Sequence, residues 1–273
     1  MQTWMARHEI TVADLKKTFA RDPDALVVID QLVEPAPHPG ADPKLAAEFT
    51  ARGPWVTRFW IGGVPYGGPH DLTRDPRLAM AEAAIGGFAA KRVLELGSLE
   101  GGHSIALAQR GATVVGLEGR EANCERARWV AALLGVEGIR FEVADVRTAD
   151  LGAHGRFDLV LASGLLYHLD APWELLARLV PLAPWMYAWT HYVRPGDAGE
   201  HATVGGEVIR GAFRQEYGLG DPLSGLQPTS FWPTREGLET MLRLTGWRVV
   251  TGETQPEHPD GPAITLVARR AGA

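Results

Sequence analysis

Glu95, Gly97, Gly101 and Gly102 stand together in the stretch VLELGSLEGGHS, where a short alternation of apolar and polar residues hands over to a helical pattern. Glycines at such a turn let the backbone reverse sharply and approach a bound molecule, because no Cβ stands in the way. Their spacing is not that of GxGxxG, and Glu95 lies at the strand end, where a pyrophosphate would be repelled. A carboxylate there suits a cation. S-adenosylmethionine carries an ammonium and a sulfonium and no phosphate, which makes it the expected cofactor. Its expected contacts here are Glu95, Gly97, Ser98, Gly101, His103 and Ser104. A dehydrogenase would use the same kind of turn, and the glycine spacing and Glu95 both disfavour it.

Further contacts follow at intervals down the chain. The apolar run TVVGL ends at Glu118, an acid placed to accept hydrogen bonds from two ribose hydroxyls, with Gly119 and Arg120 beside it. The run Ile139 to Val143 leads to Asp145 and Val146. Asp145 would accept from the adenine amine and Val146 would pack on the ring; the competing role for Asp145 is to cap a short helix. FDLVLA runs into SGLLYHL, which brings Ser163 and Tyr167 to the carboxyl end of another strand.

Methyl transfer from a sulfonium asks the protein to align an acceptor and exclude water, and an alcohol acceptor also needs a base. Candidates for the catalytic side are His168, after the fourth strand, and His191 with Tyr192, at the end of the aromatic run WMYAWTHY. His191 is favoured as base, because it directly precedes a long irregular stretch. Aromatics that could wall an acceptor pocket are Trp55, Trp60 and Tyr66 early in the chain, joined later by Arg214, Tyr217 and Trp232. For the early aromatics, packing their own segment is the alternative. His191, Asp197, Glu200 and His201 also cluster, but their spacing fits no metal-ligand template, so no metal is expected.

These residues require an alternating array of strands and helices from Lys91 onward. The pattern predicts an α/β fold, a doubly wound Rossmann-like sheet of seven strands with the last one antiparallel. Residues 1 to 90 read as an N-terminal extension, with an amphipathic stretch Val12 to Phe19, an apolar run Ala25 to Val33 and a helix from Pro43 to Ala51. Residues 91–273 form the cofactor-binding domain, and 194–232 interrupt it as a lid insertion. Among 273 residues the net charge is −6, which argues against a broad nucleic-acid footprint. One cysteine, Cys124, points to a reducing compartment, and without a signal-peptide pattern or long apolar run the cytoplasm is expected. The expected partner is a small-molecule acceptor, with neither nucleic acid nor membrane; a homodimer is compatible with the chain.

VLELGSLEGGHS, VVGLEGRE, the ADV after the third strand and FDLVLASGLLYHL resemble, in order and spacing, successive motifs of class I S-adenosylmethionine-dependent methyltransferases, over residues 90 to 193. Within that superfamily, GLLYHLDAPWELL and TSFWPTREGLETMLRLTGW resemble the tRNA wobble-uridine carboxymethyltransferase-like group of bacterial methyltransferases. ELGSLEGG replaces the commoner D-x-G-C-G-x-G, and no cationic pair for a carboxylated donor can be read from the chain. The resemblance implies S-adenosyl-L-methionine as donor. The expected activity is metal-free O-methylation of a hydroxyl on a sugar or natural product. A tRNA-modifying (carboxy)methyltransferase and a catalytically silent nucleoside-binding protein are the alternatives.

Overall fold

The computed structural model describes residues 38–221 and 223–272, so the stretches Val12 to Phe19 and Ala25 to Val33 lie outside the described residues. Packing divides the chain between Thr73 and Arg74. In the first unit, helix α1 (Pro43–Arg52) starts where Asp42 accepts from Leu45 N at 2.9 Å and Pro43 pre-sets the first helical φ. The hairpin of β1 (Arg58–Ile61) and β2 (Val64–Gly67) completes it.

In the second unit, α2 (Leu78–Ile85) precedes β3 (Arg92–Leu96), and α3 (Gly102–Ala108), β4 (Thr113–Glu118), α4 (Glu121–Leu133) and β5 (Ile139–Val143) follow. Then come β6 (Leu159–Ser163), α5 (Pro172–Leu179) and β7 (Trp185–His191). The insertion folds as its own antiparallel sheet, β8 (Glu200–Val204), β9 (Glu207–Gln215) and β10 (Thr229–Pro233), with β9 central. Helix α6 (Arg235–Leu244), capped by Thr234, leads to β11 (Trp247–Gln255) and β12 (Ala263–Arg270).

The main sheet has seven strands in the order β11-β12-β7-β6-β3-β4-β5, all parallel except β12, which runs antiparallel to both neighbours. Parallel neighbours need crossovers, and the helices lie on both faces. Alternation along each strand divides the core. Leu94, Leu96, Met186 and Ala188 join Leu175, Leu176 and Leu179 of α5 and Leu238, Met241 and Leu242 of α6 on one face. Val93, Leu159, Leu161 and Tyr187 join Leu78 and Ala81 of α2 and Ala106 and Leu107 of α3 on the other. The chain turns from β3 to β4 on one side and later places β6 on the other. That leaves a crevice beyond the carboxyl ends of β3 and β6, where ligands bind in such sheets.

Candidate active site

At the carboxyl end of β3, Gly97 has φ +69° and Gly101 φ +81°, so both glycines serve backbone conformations that side chains oppose. They do so for different reasons. A Cβ on Gly101 would lie 2.6 Å from Phe141 Cζ, so this glycine lets the turn pack on β5. Gly97 faces Leu165, at 3.3 Å from a would-be Cβ, on the loop after β6. The N–H groups of Gly97 and Ser98 both donate to Leu117 O, at 2.8 and 3.0 Å. Ser98 Oγ is buried without a partner among the described residues. An orphaned hydroxyl costs free energy unless a ligand or water meets it, which fits a molecule seated in this turn.

Glu118 ends β4 with its carboxylate buried. One oxygen accepts from Leu99 N and the other from Arg120 N, each at 2.9 Å. The oxygen that takes Arg120 N also takes a long bond from Asn123 Nδ2 at 3.4 Å. Of a carboxylate's roughly four lone-pair sites, the one left open is on the oxygen that takes Leu99 N, where a ribose hydroxyl can donate. Leu99, at φ +50°, is held by that contact in the left-handed region. Arg120 faces elsewhere: its Nη2 donates to Gly218 O, Asp221 O and Ser224 O at 2.8, 2.8 and 2.7 Å. Gly119 packs against Leu226 of the insertion: a Cβ there would lie 2.5 Å from Leu226 Cδ1 and turn that side chain aside. The insertion is thereby clamped against the end of β4, and Arg120, expected at the cofactor, is its clamp. Arg120→Ala should raise the rate of thermolysin cleavage between residues 216 and 226 by about tenfold or more while global stability falls little, the signature of local opening.

Asp145 accepts from Arg147 N at 3.0 Å and pairs with Arg147 Nη2 at 2.5 Å, closing a turn after β5; no helix starts there, and the short helix that follows is capped by Asp150. Val146, expected against adenine, is buried in the main apolar core because its backbone turns it inward after the strand.

Glu95 is buried, accepts a short hydrogen bond from Ser104 Oγ, and lies 3.6 Å from His103 Nδ1. His103 Nε2 is 2.9 Å from Asp75, whose carboxylate also takes a bidentate pair from Arg77, with Nη2 at 2.7 Å. His103 and Ser104 therefore support Glu95 from beneath. Burial pulls the His103 pKa down, but hydrogen bonds to Asp75 and Glu95 outweigh it and push it up to about 9. Burial likewise opposes the charge on Asp75, yet His103 and Arg77 hold its carboxyl well below the usual range. A folded-state pKa above the unfolded 6.5 stabilises fully below pH 6.5 and is lost as pH rises through 9. The thermal midpoint should therefore decline between those values, and His103→Gln should flatten that decline.

On the side of β7, Tyr187, Trp189 and His191 project from one face, as period-2 alternation requires. Around His191 stand Trp232, stacked at 4.9 Å and 7°, Tyr167 at 4.6 Å, Trp189 at 4.9 Å and His258 at 5.1 Å. His191 Nδ1 lies 3.0 Å from Gly261 O and 3.2 Å from Pro262 O, in the turn between β11 and β12. Both partners are carbonyls, so Nδ1 carries the proton and neutral His191 keeps its lone pair on Nε2. Burial holds its pKa below 6.5, so the ring is neutral at physiological pH. Burial pushes the Tyr167 phenol well above its ordinary value, so it serves as a wall.

The other acceptor-side expectations are redistributed. Tyr192 follows His191 by one residue, so alternation turns it to the opposite face, where it is buried in the main core instead of lining the rim. His168 Nδ1 donates to Glu216 at 3.1 Å; burial opposes the charge of Glu216, but His168, Ser224 and Gly225 N hold it down to about 2. His168 thus anchors the insertion. Arg214 lies over Trp232 at 5.7 Å, while Tyr217 is 65% exposed. Ser163 sits at the end of β6 in register with Trp189. In the first unit, Trp55 and Tyr66 are buried against Phe49, Trp55 tilted at 5.0 Å and Tyr66 stacked at 5.2 Å, in that unit's own core. Trp60 donates to Asp71 at 2.6 Å. Reading by sequence missed Asp75, Arg77, Trp189 and His258; only Trp189, two residues before His191 on an aromatic strand, carried a local signal.

A doubly wound sheet with a glycine turn at its switch point and an acid ending the next strand defines a nucleoside-cofactor protein. The methyltransferase domain family matches residues 93–182. The N-terminal domain of EvdMO1, solved with S-adenosylhomocysteine bound, is 32% identical, covering 84% of this chain and 96% of that one at a TM-score of 0.68. The chain belongs to the class I S-adenosylmethionine-dependent methyltransferases, and S-adenosyl-L-methionine is its cofactor. The same EvdMO1 domain has been crystallised in the presence of S-adenosylhomocysteine and D-fucose, with a TM-score of 0.69. The 23S rRNA (uracil(1939)-C(5))-methyltransferase RlmD of Alkalilimnicola ehrlichii is 32% identical over 222 residues, 75% of this chain and 46% of that protein. The chain thus spans about half the length of that curated relative. The 1,6-didemethyltoxoflavin-N1-methyltransferase of Burkholderia thailandensis shares the fold at 20% identity and a TM-score of 0.53, covering 73% of this chain and 78% of that one.

Proposed function

We propose that this methyltransferase O-methylates a hydroxyl of a small polyhydroxylated molecule, a sugar or sugar-bearing natural product, with His191 as general base and no metal. The observation that carries the reading is the placement of His191: its Nδ1 lies against two carbonyls, its Nε2 has no partner among the described residues, and its ring is set among Trp232, Tyr167 and Trp189. S-adenosylmethionine supplies an electrophilic methyl on a sulfonium. Glu118 receives the ribose, Ser98 and the neighbourhood of Glu95 receive the amino-acid end, and the insertion excludes water. His191 Nε2 takes the hydroxyl proton as the oxygen attacks, and Gly261 O and Pro262 O keep the imidazolium oriented. Aromatic walls suit the apolar faces of a sugar ring, and the D-fucose used with EvdMO1 points the same way.

An RNA acceptor is the second reading, favoured by the RlmD match and by the wobble-uridine-like motifs. Isotopically labelled S-adenosylmethionine, incubated with the protein and the small-molecule and RNA fractions of a native extract, decides between them. Label in an alkali-stable ether on a small molecule is the expected result; label confined to RNA overturns it.

A further inference from the structure

Arg77, just before α2, is a cation the methyl-transfer chemistry does not use. Its Nε and Nη2 are committed to Asp75, while Nη1 has no partner among the described residues. The side chain is 25% exposed, and its guanidinium lies over the Trp189 ring at 4.7 Å. Trp189 is the same ring that contacts His191, and α2 packs on the face of the sheet to which Tyr187, Trp189 and His191 point. Asp75 is shared between Arg77 and the His103 imidazolium, and Glu95 lies on the other side of His103, so what Arg77 keeps open is its third nitrogen, Nη1. A second donor in the same cluster is unmet: Trp232 Nε1, on the ring stacked against His191, is buried without a partner among the described residues. The wall of the acceptor site therefore carries two N–H donors without acceptors, one of them charged.

A ligand group that only accepts hydrogen bonds and carries negative charge meets this wall best, because charge-assisted bonds are roughly twice as strong as neutral ones. We propose that the acceptor is a hydroxy acid of the uronic-acid type, and that Arg77 Nη1 holds its carboxylate while His191 faces the hydroxyl to be methylated. Stacking on Trp189 keeps the guanidinium plane in place, a role lysine cannot fill. The assignment rests on reading the His191 face as the acceptor site. A carboxylate borne by the donor would meet the same nitrogen, so the test uses S-adenosylhomocysteine, which has none at its sulfur.

The full chain saturated with S-adenosylhomocysteine is titrated calorimetrically with D-glucuronate and D-glucose, and with D-galacturonate and D-galactose, in wild type, Arg77→Gln and Arg77→Lys. Wild type should bind an acid about tenfold or more tightly than its neutral partner, the discrimination of one charge-assisted hydrogen bond. Arg77→Gln should reduce that preference to about twofold or less, and Arg77→Lys should retain part of it. Equal response of wild type to acid and neutral sugars, including no response to either, overturns the proposal, as does an Arg77→Gln protein that keeps the preference. Circular dichroism and the thermal midpoint control for folding, and Arg77→Lys decides if Arg77→Gln does not fold. A folded Arg77→Gln protein that binds S-adenosylhomocysteine about tenfold or more weakly overturns the proposal, because Nη1 then serves the donor's own amino-acid carboxylate. Product analysis by mass separates the two readings. Acid binding without methyl-ether formation retires the O-methylation reading and leaves the Arg77 assignment standing, whereas equal methylation of acid and neutral sugars does the reverse.

Discussion

His191→Ala is expected to lower turnover by about 10²–10⁴-fold with donor affinity nearly unchanged, the range for loss of a positioned base, the role proposed for His191. The reason is local. Nδ1 is bound to Gly261 O and Pro262 O, so the tautomer that leaves Nε2 free is the one the fold selects. Burial keeps the ring neutral by holding its pKa below 6.5. The protonated ring cannot accept a proton, so kcat should be level above pH 6.5 and fall as pH drops through that lowered value. Turnover measured from pH 4.5 to 8 with wild type and His191→Ala checks both statements. A loss smaller than about tenfold in a well-folded variant would assign His191 to packing among Trp232, Tyr167 and Trp189.

Glu118→Ala has the second large effect, on the donor. Calorimetry with S-adenosylhomocysteine should show binding weaker by about 1–3 kcal/mol, because an ionised acceptor for a ribose hydroxyl is removed. The variant should also be less stable. Leu99 N and Arg120 N lose their acceptor, and Leu99 sits at φ +50° with that contact to hold it. Glu118→Gln, which keeps one acceptor oxygen, should fall between. Unchanged affinity in Glu118→Ala would remove the ribose assignment.

The parallel sheet was legible because strands and helices announce themselves locally. Thr113 to Glu118 and Leu159 to Ser163 are apolar runs of strand length, Pro172 and Thr234 mark helix starts, and Gly97 and Gly101 mark a turn that needs left-handed backbone. Alternation along β7 puts Trp189 on the face of His191 and turns Tyr192 away, so Tyr192, expected beside His191 on the catalytic side, lies in the main core instead.

Pairing between distant residues is another matter. Choosing His191 over His168 depends on partners that the chain brings back from far away: Gly261 and Pro262 orient the first, and Glu216 occupies the second. Asp75 and Arg77 precede the glycine turn by about twenty residues in an unpatterned stretch, and only the packing of α2 and α3 on one face joins them to His103 and Glu95. Backbone geometry writes its period of 2 or 3.6 into neighbouring residues, so the amino-acid sequence by itself determined the strands, the helix starts and the donor turn. The tautomer of His191, the anchoring of the insertion and the pairing of His103 depend on which loops close against which strand ends; only the tertiary structure decided them, because hydrogen bonds and burial between distant residues leave no periodic trace in the chain.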